Sequence, residues 1–251
     1  MSIKFLKKIT PRWIRRIAFQ VREGLEDRKV QRLLSTHSNL DAFIKHLESV
    51  NDHGVMQYHA YKPESRRKIF QSLYDALEIK FDGASILDLG PGYGDSLDLA
   101  REHGAGIVEF VDSNVNVVVF NTLKGFSGYR RNYTEGKGLT ELTAKKYHVV
   151  LSKGSINADQ FNREGYPISF GDWVKQVEAL VAPGGYVIIC PTFDMGTRVV
   201  NGSYYVCEDP DAFLQSDFTK ILKQKGYETV FIEGFNYPKE RFPFTFYKKS
   251  S

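Results

Sequence analysis

Ile86-Leu87-Asp88-Leu89-Gly90-Pro91-Gly92-Tyr93-Gly94 decides how this chain of 251 residues is to be read. A short apolar run meets an acid, then three glycines at alternate positions, then an amphipathic run to about His103. That is a strand, a tight turn and a helix. In an open α/β sheet such a turn lies beyond the carboxyl end of a strand, where ligands bind. Glycines there take positive φ where the chain needs it and let the backbone approach a ligand closely. Two common ligands are excluded. A dinucleotide fingerprint needs G-x-G-x-x-G/A, but the sixth position is Asp95 counted from Gly90 and Leu97 counted from Gly92. A P-loop needs a closing Gly-Lys-Ser/Thr, which is absent. Asp88 would sit poorly against a pyrophosphate. It suits a ligand with an ammonium group, or it holds the loop through backbone N–H groups.

Strand and helix patterns alternate on the carboxyl side. Strands are expected at Ser85–Leu89, Ile107–Val111, Gly128–Tyr133, Tyr147–Ser152 and Tyr186–Cys190, with two last ones at Glu228–Glu233 and Arg241–Lys248. Helices are expected at Asn114–Leu123, Ser169–Val181 and Asp211–Lys225. The first carries the β-branched run Val117-Val118-Val119, which disfavours helix. The second turns Trp173, Val177, Leu180 and Val181 inward. Pro183-Gly184-Gly185 is a turn. The alternation implies a mostly parallel sheet with helices on both faces. The last two strands suit an antiparallel hairpin at one edge.

On the amino side, residues 1–80 read as helical. Leu40, Phe43, Ile44 and Leu47 mark a short helix begun by Ser38 or Asn39, and Pro63 can open another. Residues 1–33 hold ten Lys and Arg against three acids, while the whole chain is only +4, so the arm is basic and the remainder mildly acidic. Thr10-Pro11 is a good helix start. Trp13, Ile14, Ile17, Val21 and Leu25 then recur at helical spacing, with Arg12, Arg15, Arg16 and Arg22 largely on another face. Either that stripe packs on the body and the charges are solvated, or the arm meets a lipid surface or nucleic acid. Gly24 is expected to interrupt the helix.

Composition agrees with a globular protein: 42% hydrophobic, 25% charged and 14% aromatic residues exclude collagenous, coiled-coil and mostly disordered readings. No apolar run reaches the roughly 18 residues of a membrane span. No secretory signal is read at the amino terminus, and Cys190 and Cys207 are too few for a stapled scaffold, so the expected compartment is the cytoplasm.

Asp88 followed by Gly90, Gly92 and Gly94 resembles the first motif of the class I S-adenosylmethionine-dependent methyltransferases, an acid then G-x-G-x-G. Three further features agree in order. Glu109-Phe110-Val111-Asp112-Ser113 ends the second strand, with Asp112 placed 24 residues after Asp88. Tyr147-His148-Val149-Val150-Leu151-Ser152 resembles the family's fourth strand. Leu180-Val181-Ala182-Pro183-Gly184-Gly185 resembles its turn into strand five. The resemblance spans about residues 64–249. It implies a Rossmann-like α/β fold: a mostly parallel seven-stranded sheet with a C-terminal antiparallel hairpin, plus an N-terminal helical extension. Residues 1–63 would be a basic arm and cap, and 64–251 the donor-binding domain.

The implied cofactor is S-adenosylmethionine. Asp88, Gly90, Pro91, Gly92, Gly94, Asp112, Ser113, Asn132, Ser152 and Gly154 are the expected residues around it. Asp112 would accept both ribose hydroxyls. The pattern departs from the family in two places. Asn132, beside Tyr133, stands where an acid often meets the adenine amine, and His148 stands where an Asp often begins strand four; His148 reads as structural.

An oxygen acceptor can need a general base, and His59 and Asp159 are the candidates. Each also has a plain reading, His59 as a packed or surface residue and Asp159 as a helix cap. No metal-ligand spacing is seen. The D/N/S-P-P-Y/F/W motif of amino-group methylation is absent, which argues against a nucleobase. Met195–Pro210, with Tyr204 and Tyr205, reads as an acceptor-site loop or lid. The expected acceptor is a small molecule or glycan, with peripheral membrane contact through residues 1–35 and a lipid-linked sugar as one form of it. Two alternatives remain open: RNA methylation using the basic arm, and a donor-binding subunit without catalysis.

Overall fold

The computed structural model describes residues 12–50, 52, 67–68, 70–71, 74–75, 78–131, 139, 144–157, 170–192, 197–200, 204–207, 217–230 and 245–249. Helices α1 (Arg12–Thr36) and α2 (Leu40–Ser49) precede the sheet. There follow β1 (Ser85–Leu89), α3 (Asp95–Glu102), β2 (Ile107–Asp112), α4 (Val115–Leu123) and β3 (Ser127–Arg130). The second half holds β4 (Tyr147–Asn157), α5 (Phe170–Leu180) and β5 (Val181–Thr192). Last come β6 (Thr197–Val200), β7 (Tyr204–Cys207), α6 (Asp217–Gln224), β8 (Tyr227–Val230) and β9 (Thr245–Lys249).

Seven strands form one sheet in the order β3-β2-β1-β4-β5-β9-β8. The first five pair in parallel, and β9 runs antiparallel to both β5 and β8. The expected hairpin is therefore present, with β9 inserted inside and β8 left at the edge. Strand order reverses between β1 and β4, which places a ligand crevice at the carboxyl end of β1.

All five residues of β1 are buried, as a parallel strand covered on both faces requires. Ile86, Val149, Leu151 and Ile188 pack with Phe70, Tyr74, Leu99 and Ala100. Leu87, Leu89, Val150 and Val187 pack with Trp173, Val174 and Val177. In α4, Val118 and Val119 are buried with Phe110, with Val30 and Leu33 of α1, and with Phe43 and Leu47 of α2. Burying each valine is worth about 1.5–3 kcal/mol, well above its propensity penalty, so the β-branched run stays helical. Asn114 caps α4 by accepting from the Asn116 amide at 2.9 Å, and Asn39 caps α2 through the Ala42 amide at 2.9 Å.

Several boundaries differ from expectation. β4 continues past Ser152 to Asn157, where it pairs with Thr192 of an equally extended β5. Helix α5 stops at Leu180, so Val181 already belongs to β5. The Pro-Gly-Gly turn is a bulge within that strand: Val181 lies opposite Tyr147, and Tyr186 opposite Val149. Met195–Pro210 contains a regular element, the antiparallel β6–β7 ribbon with Val199 opposite Tyr205. The Asn201-Gly202-Ser203 triplet between its strands is a hairpin signal. No helix among the described residues is long and apolar enough to cross a membrane.

Helix α1 is not interrupted at Gly24 but runs unbroken for 25 residues. Its residues on either side of that glycine clamp the end of β3. Arg130 Nε donates to Asp27 Oδ1 at 2.6 Å, and Arg130 Nη2 lies 2.8 Å from Glu23 Oε2 and 3.1 Å from the Glu23 carbonyl. The Arg130 side chain is 4% exposed. These charge-assisted bonds, with Val30 and Leu33 in the core, offset the ~1 kcal/mol that glycine costs a helix. Arg130→Met should therefore leave Glu23 without its guanidinium and Asp27 with Arg131 alone, and cost about 2 kcal/mol, less than a fully buried pair because Asp27 is half-exposed. Hydrogen exchange should show α1 losing protection ahead of β1.

Candidate active site

The strand register gathers the predicted residues at the carboxyl edge of the sheet. Leu89 lies opposite Val111, which sets Gly90 level with Asp112; the Gly90 amide donates to the Val111 carbonyl at 2.8 Å. Asp88 lies opposite Leu151, which brings Ser152 alongside Leu89. Asp88, Gly90, Pro91, Gly92, Gly94, Asp112, Ser113 and Ser152 thus meet at one edge, with Gly154 further along β4. Asn132, His59 and Asp159 lie outside the described residues, as does Tyr133.

The loop has the backbone that its glycines suggested. Gly90, Gly92 and Gly94 have φ of 81°, 56° and 79°. A Cβ at Gly92 would meet nothing within 4 Å, so the backbone borders open space there. A Cβ at Gly94 would stand 2.2 Å from Asn121 Oδ1. Asn121 braces the loop from behind: its Nδ2 donates to the Gly92 carbonyl at 2.7 Å and the Val117 carbonyl at 3.0 Å. Lys124 Nζ donates to the Tyr93 carbonyl at 2.9 Å and pairs with Asp98 at 2.5 Å. The Tyr93 ring meets Phe120 edge-on at 4.8 Å. Sequence reading missed Asn121 and Lys124. Their signal was a polar residue on the inward face of an otherwise apolar helix, with a lysine one turn on.

Asp88 is 2% exposed and accepts a hydrogen bond from Ser96 Oγ in the first turn of α3. Through that side-chain hydroxyl the carboxylate ties the strand end to the helix that follows the loop. Tyr74 donates to the Ser96 carbonyl at 3.3 Å, and burial together with Asp88 pushes its hydroxyl well above the usual tyrosine range.

Asp112 is different in character. Burial raises its carboxyl from 3.8 to about 6, against the backbone amides of Asn114 and Ser113, which favour the charge. Asn114 N donates to Oδ1 at 2.7 Å. The strand end therefore holds a poorly hydrated carboxylate with accepting capacity to spare. Next to it lies a cleft of ≈ 390 Å³, walled by Arg22, Glu23, Glu26 and Lys29 of α1 and by Ser113–Asn116 and Arg130. Ser113 is exposed at the border between cleft and loop.

His148 lies at the opposite end of the sheet. Its Nδ1 accepts from the Ser85 amide at 3.0 Å, joining the amino ends of β4 and β1, which is the structural role expected of it.

Seven strands in this order, with the sixth position antiparallel and a glycine loop after the first strand, settle the architecture. The fold is that of the class I methyltransferases. No family model and no curated protein matches the sequence. Solved structures resemble it at low identity. One is an S-adenosylmethionine-dependent methyltransferase from Mesorhizobium loti, 14% identical, with 71% of this chain and 98% of that one covered and a TM-score of 0.48. Another is the magnesium protoporphyrin IX methyltransferase of Synechocystis PCC 6803 with S-adenosylmethionine bound, 12% identical over 74% and 80% of the chains, TM-score 0.49. A third is an amino pentose methyltransferase from Micromonospora echinaspora, 11% identical over 81% and 97%, TM-score 0.47.

Proposed function

We propose that the chain is an S-adenosylmethionine-dependent methyltransferase that methylates an oxygen of a small molecule or glycan. The observation that carries the donor assignment is the pairing of the braced glycine loop with the half-buried Asp112 carboxylate one strand away. A backbone bordering open space at Gly92 admits a ligand's flat or chain-like part closely. An ionised aspartate whose Oδ1 accepts from the Asn114 amide keeps lone pairs for a vicinal diol. Asp112 does not suit a triphosphate, which would want a donor in its place.

Bound there, S-adenosylmethionine supplies an electrophilic methyl on a sulfonium. The chain's own part is to hold it, align an acceptor in line with that methyl and keep water out. Gly90–Gly94 and Ser152 border its amino-acid portion, and Asp112 and Ser113 its ribose. For a hydroxyl acceptor the proton needs a destination, and His59 and Asp159 are the two sequence candidates. The β6–β7 ribbon follows β5 at the same edge, where an acceptor would be enclosed. The sugar acceptor draws support from this ribbon's tyrosines and from the absence of a nucleobase-methylation motif.

The test is calorimetric titration of S-adenosylmethionine, S-adenosylhomocysteine and NAD into the full chain. Micromolar binding of the first two and none of NAD is the expected result. A folded protein that binds neither sulfur compound would overturn the assignment.

A further inference from the structure

Folding sorts the residues of α1 by chemistry. Two of its acids, Glu23 and Asp27, are drawn inward onto Arg130 and Arg131. Val30 and Leu33 are buried in the core. On the far side, Ile14, Ile17, Val21 and Leu25 are 38%, 51%, 57% and 57% exposed. Their spacing of three and four residues puts them in one stripe. Arg28 and Arg32 continue the same stripe toward the carboxyl end, with Lys29 beside it, and all three are exposed. Only Val50 and Ile107 join these four as exposed large hydrophobics among the described residues. Among the described residues, the arm's apolar stripe is thus left exposed and not packed on the body.

A stripe of branched aliphatics set in cationic residues constrains what covers it. A nucleic acid backbone would satisfy the arginines and leave four aliphatic side chains in water. A second copy would bring like charges together, with Glu23 and Asp27 already engaged. A bilayer carrying acidic lipids offers both partners at the right depths, phosphates outside and acyl chains within.

We propose that the outer face of α1 docks on an anionic lipid bilayer, with Ile14, Ile17, Val21 and Leu25 entering the headgroup–acyl boundary and Arg28 and Arg32 meeting lipid phosphates. The inner side of the same helix walls the cleft beside Asp112. Docking therefore holds that cleft about one helix diameter, ~10 Å, from the headgroups. The proposal stands whether or not the chain transfers methyl groups.

Vesicle sedimentation of the full chain tests it, using phosphatidylcholine alone and phosphatidylcholine with about one-third phosphatidylglycerol. The chain should partition at least tenfold more strongly onto the anionic vesicles, and added salt should weaken it. The double variant Val21→Asp/Leu25→Asp should lose roughly tenfold or more of that partition. Arg28→Gln/Arg32→Gln should lose a similar factor, at about fivefold per charge. Both pairs are exposed, so the thermal transition of each variant should match that of the parent. Failure to sediment with anionic vesicles overturns the proposal. So does unchanged partition of the Val21→Asp/Leu25→Asp variant. A dimer seen by light scattering and dissolved by that variant, with vesicles ignored, would assign the stripe to a second copy instead. RNA binding with vesicles ignored would assign the arm to nucleic acid.

Discussion

Gly94→Ala should cost about 2–4 kcal/mol of stability and at least tenfold in donor affinity, whereas Gly92→Ala should cost about 1 kcal/mol of stability. Both positions have left-handed φ, so both variants carry backbone strain. They differ in what the new methyl meets. At Gly92 it enters open space, and any further loss falls on the ligand. At Gly94 it stands 2.2 Å from Asn121 Oδ1, and Asn121 cannot swing away without giving up its bonds to the Gly92 and Val117 carbonyls. The loop then loses its brace as well as its geometry. Denaturant midpoints and S-adenosylhomocysteine titrations measure the two effects separately. A double-mutant cycle sharpens the test: Asn121→Ala removes the obstacle, so Gly94→Ala should be less damaging in that background. Strict additivity would show that the contact does not govern the loop.

Asp112→Asn should move stability and binding in opposite directions. A carboxyl raised to about 6 from 3.8 binds its proton more tightly in the folded chain than in the unfolded one. Stability therefore falls as pH rises through that interval, and the penalty is absent below about pH 4 and complete above about pH 6. Asparagine keeps an oxygen for the Asn114 amide and carries no charge to desolvate. The variant should gain on the order of 1–2 kcal/mol at pH 8, and the gain should vanish toward pH 4. Donor binding should fall tenfold or more, because an amide cannot accept from two hydroxyls as a carboxylate does. For the parent, affinity should decline as pH drops through about 6. A stability gain that persists at pH 4 would mean that charge burial is not its cause. Such an antagonism is what a site built for a ligand, and not for the empty protein, should show.

The residues that mark this fold in the sequence are those whose physics is local. The acid-glycine loop announced its own backbone, since alternate glycines between a strand and a helix have few other uses. The parallel sheet followed from the rhythm of short apolar runs, and the inward faces of α5 and α2 from spacing alone. Asp112 was legible because it ends a strand one step beyond the loop.

What no local pattern contained was the identity of partners far apart in the chain. Asn121 and Lys124 brace the loop across some thirty residues. Glu23 and Asp27 meet Arg130 across more than a hundred, and that clamp keeps α1 unbroken through Gly24. The stripe of α1 shows the limit most plainly. From the sequence, Ile14, Ile17, Val21 and Leu25 could have faced the core as readily as solvent, because hydrophobic periodicity marks a face without saying what the face meets. Tertiary structure decided it through charge: the buried Arg130 needs Glu23 and Asp27 beside it, and turning them inward turns the aliphatic stripe out.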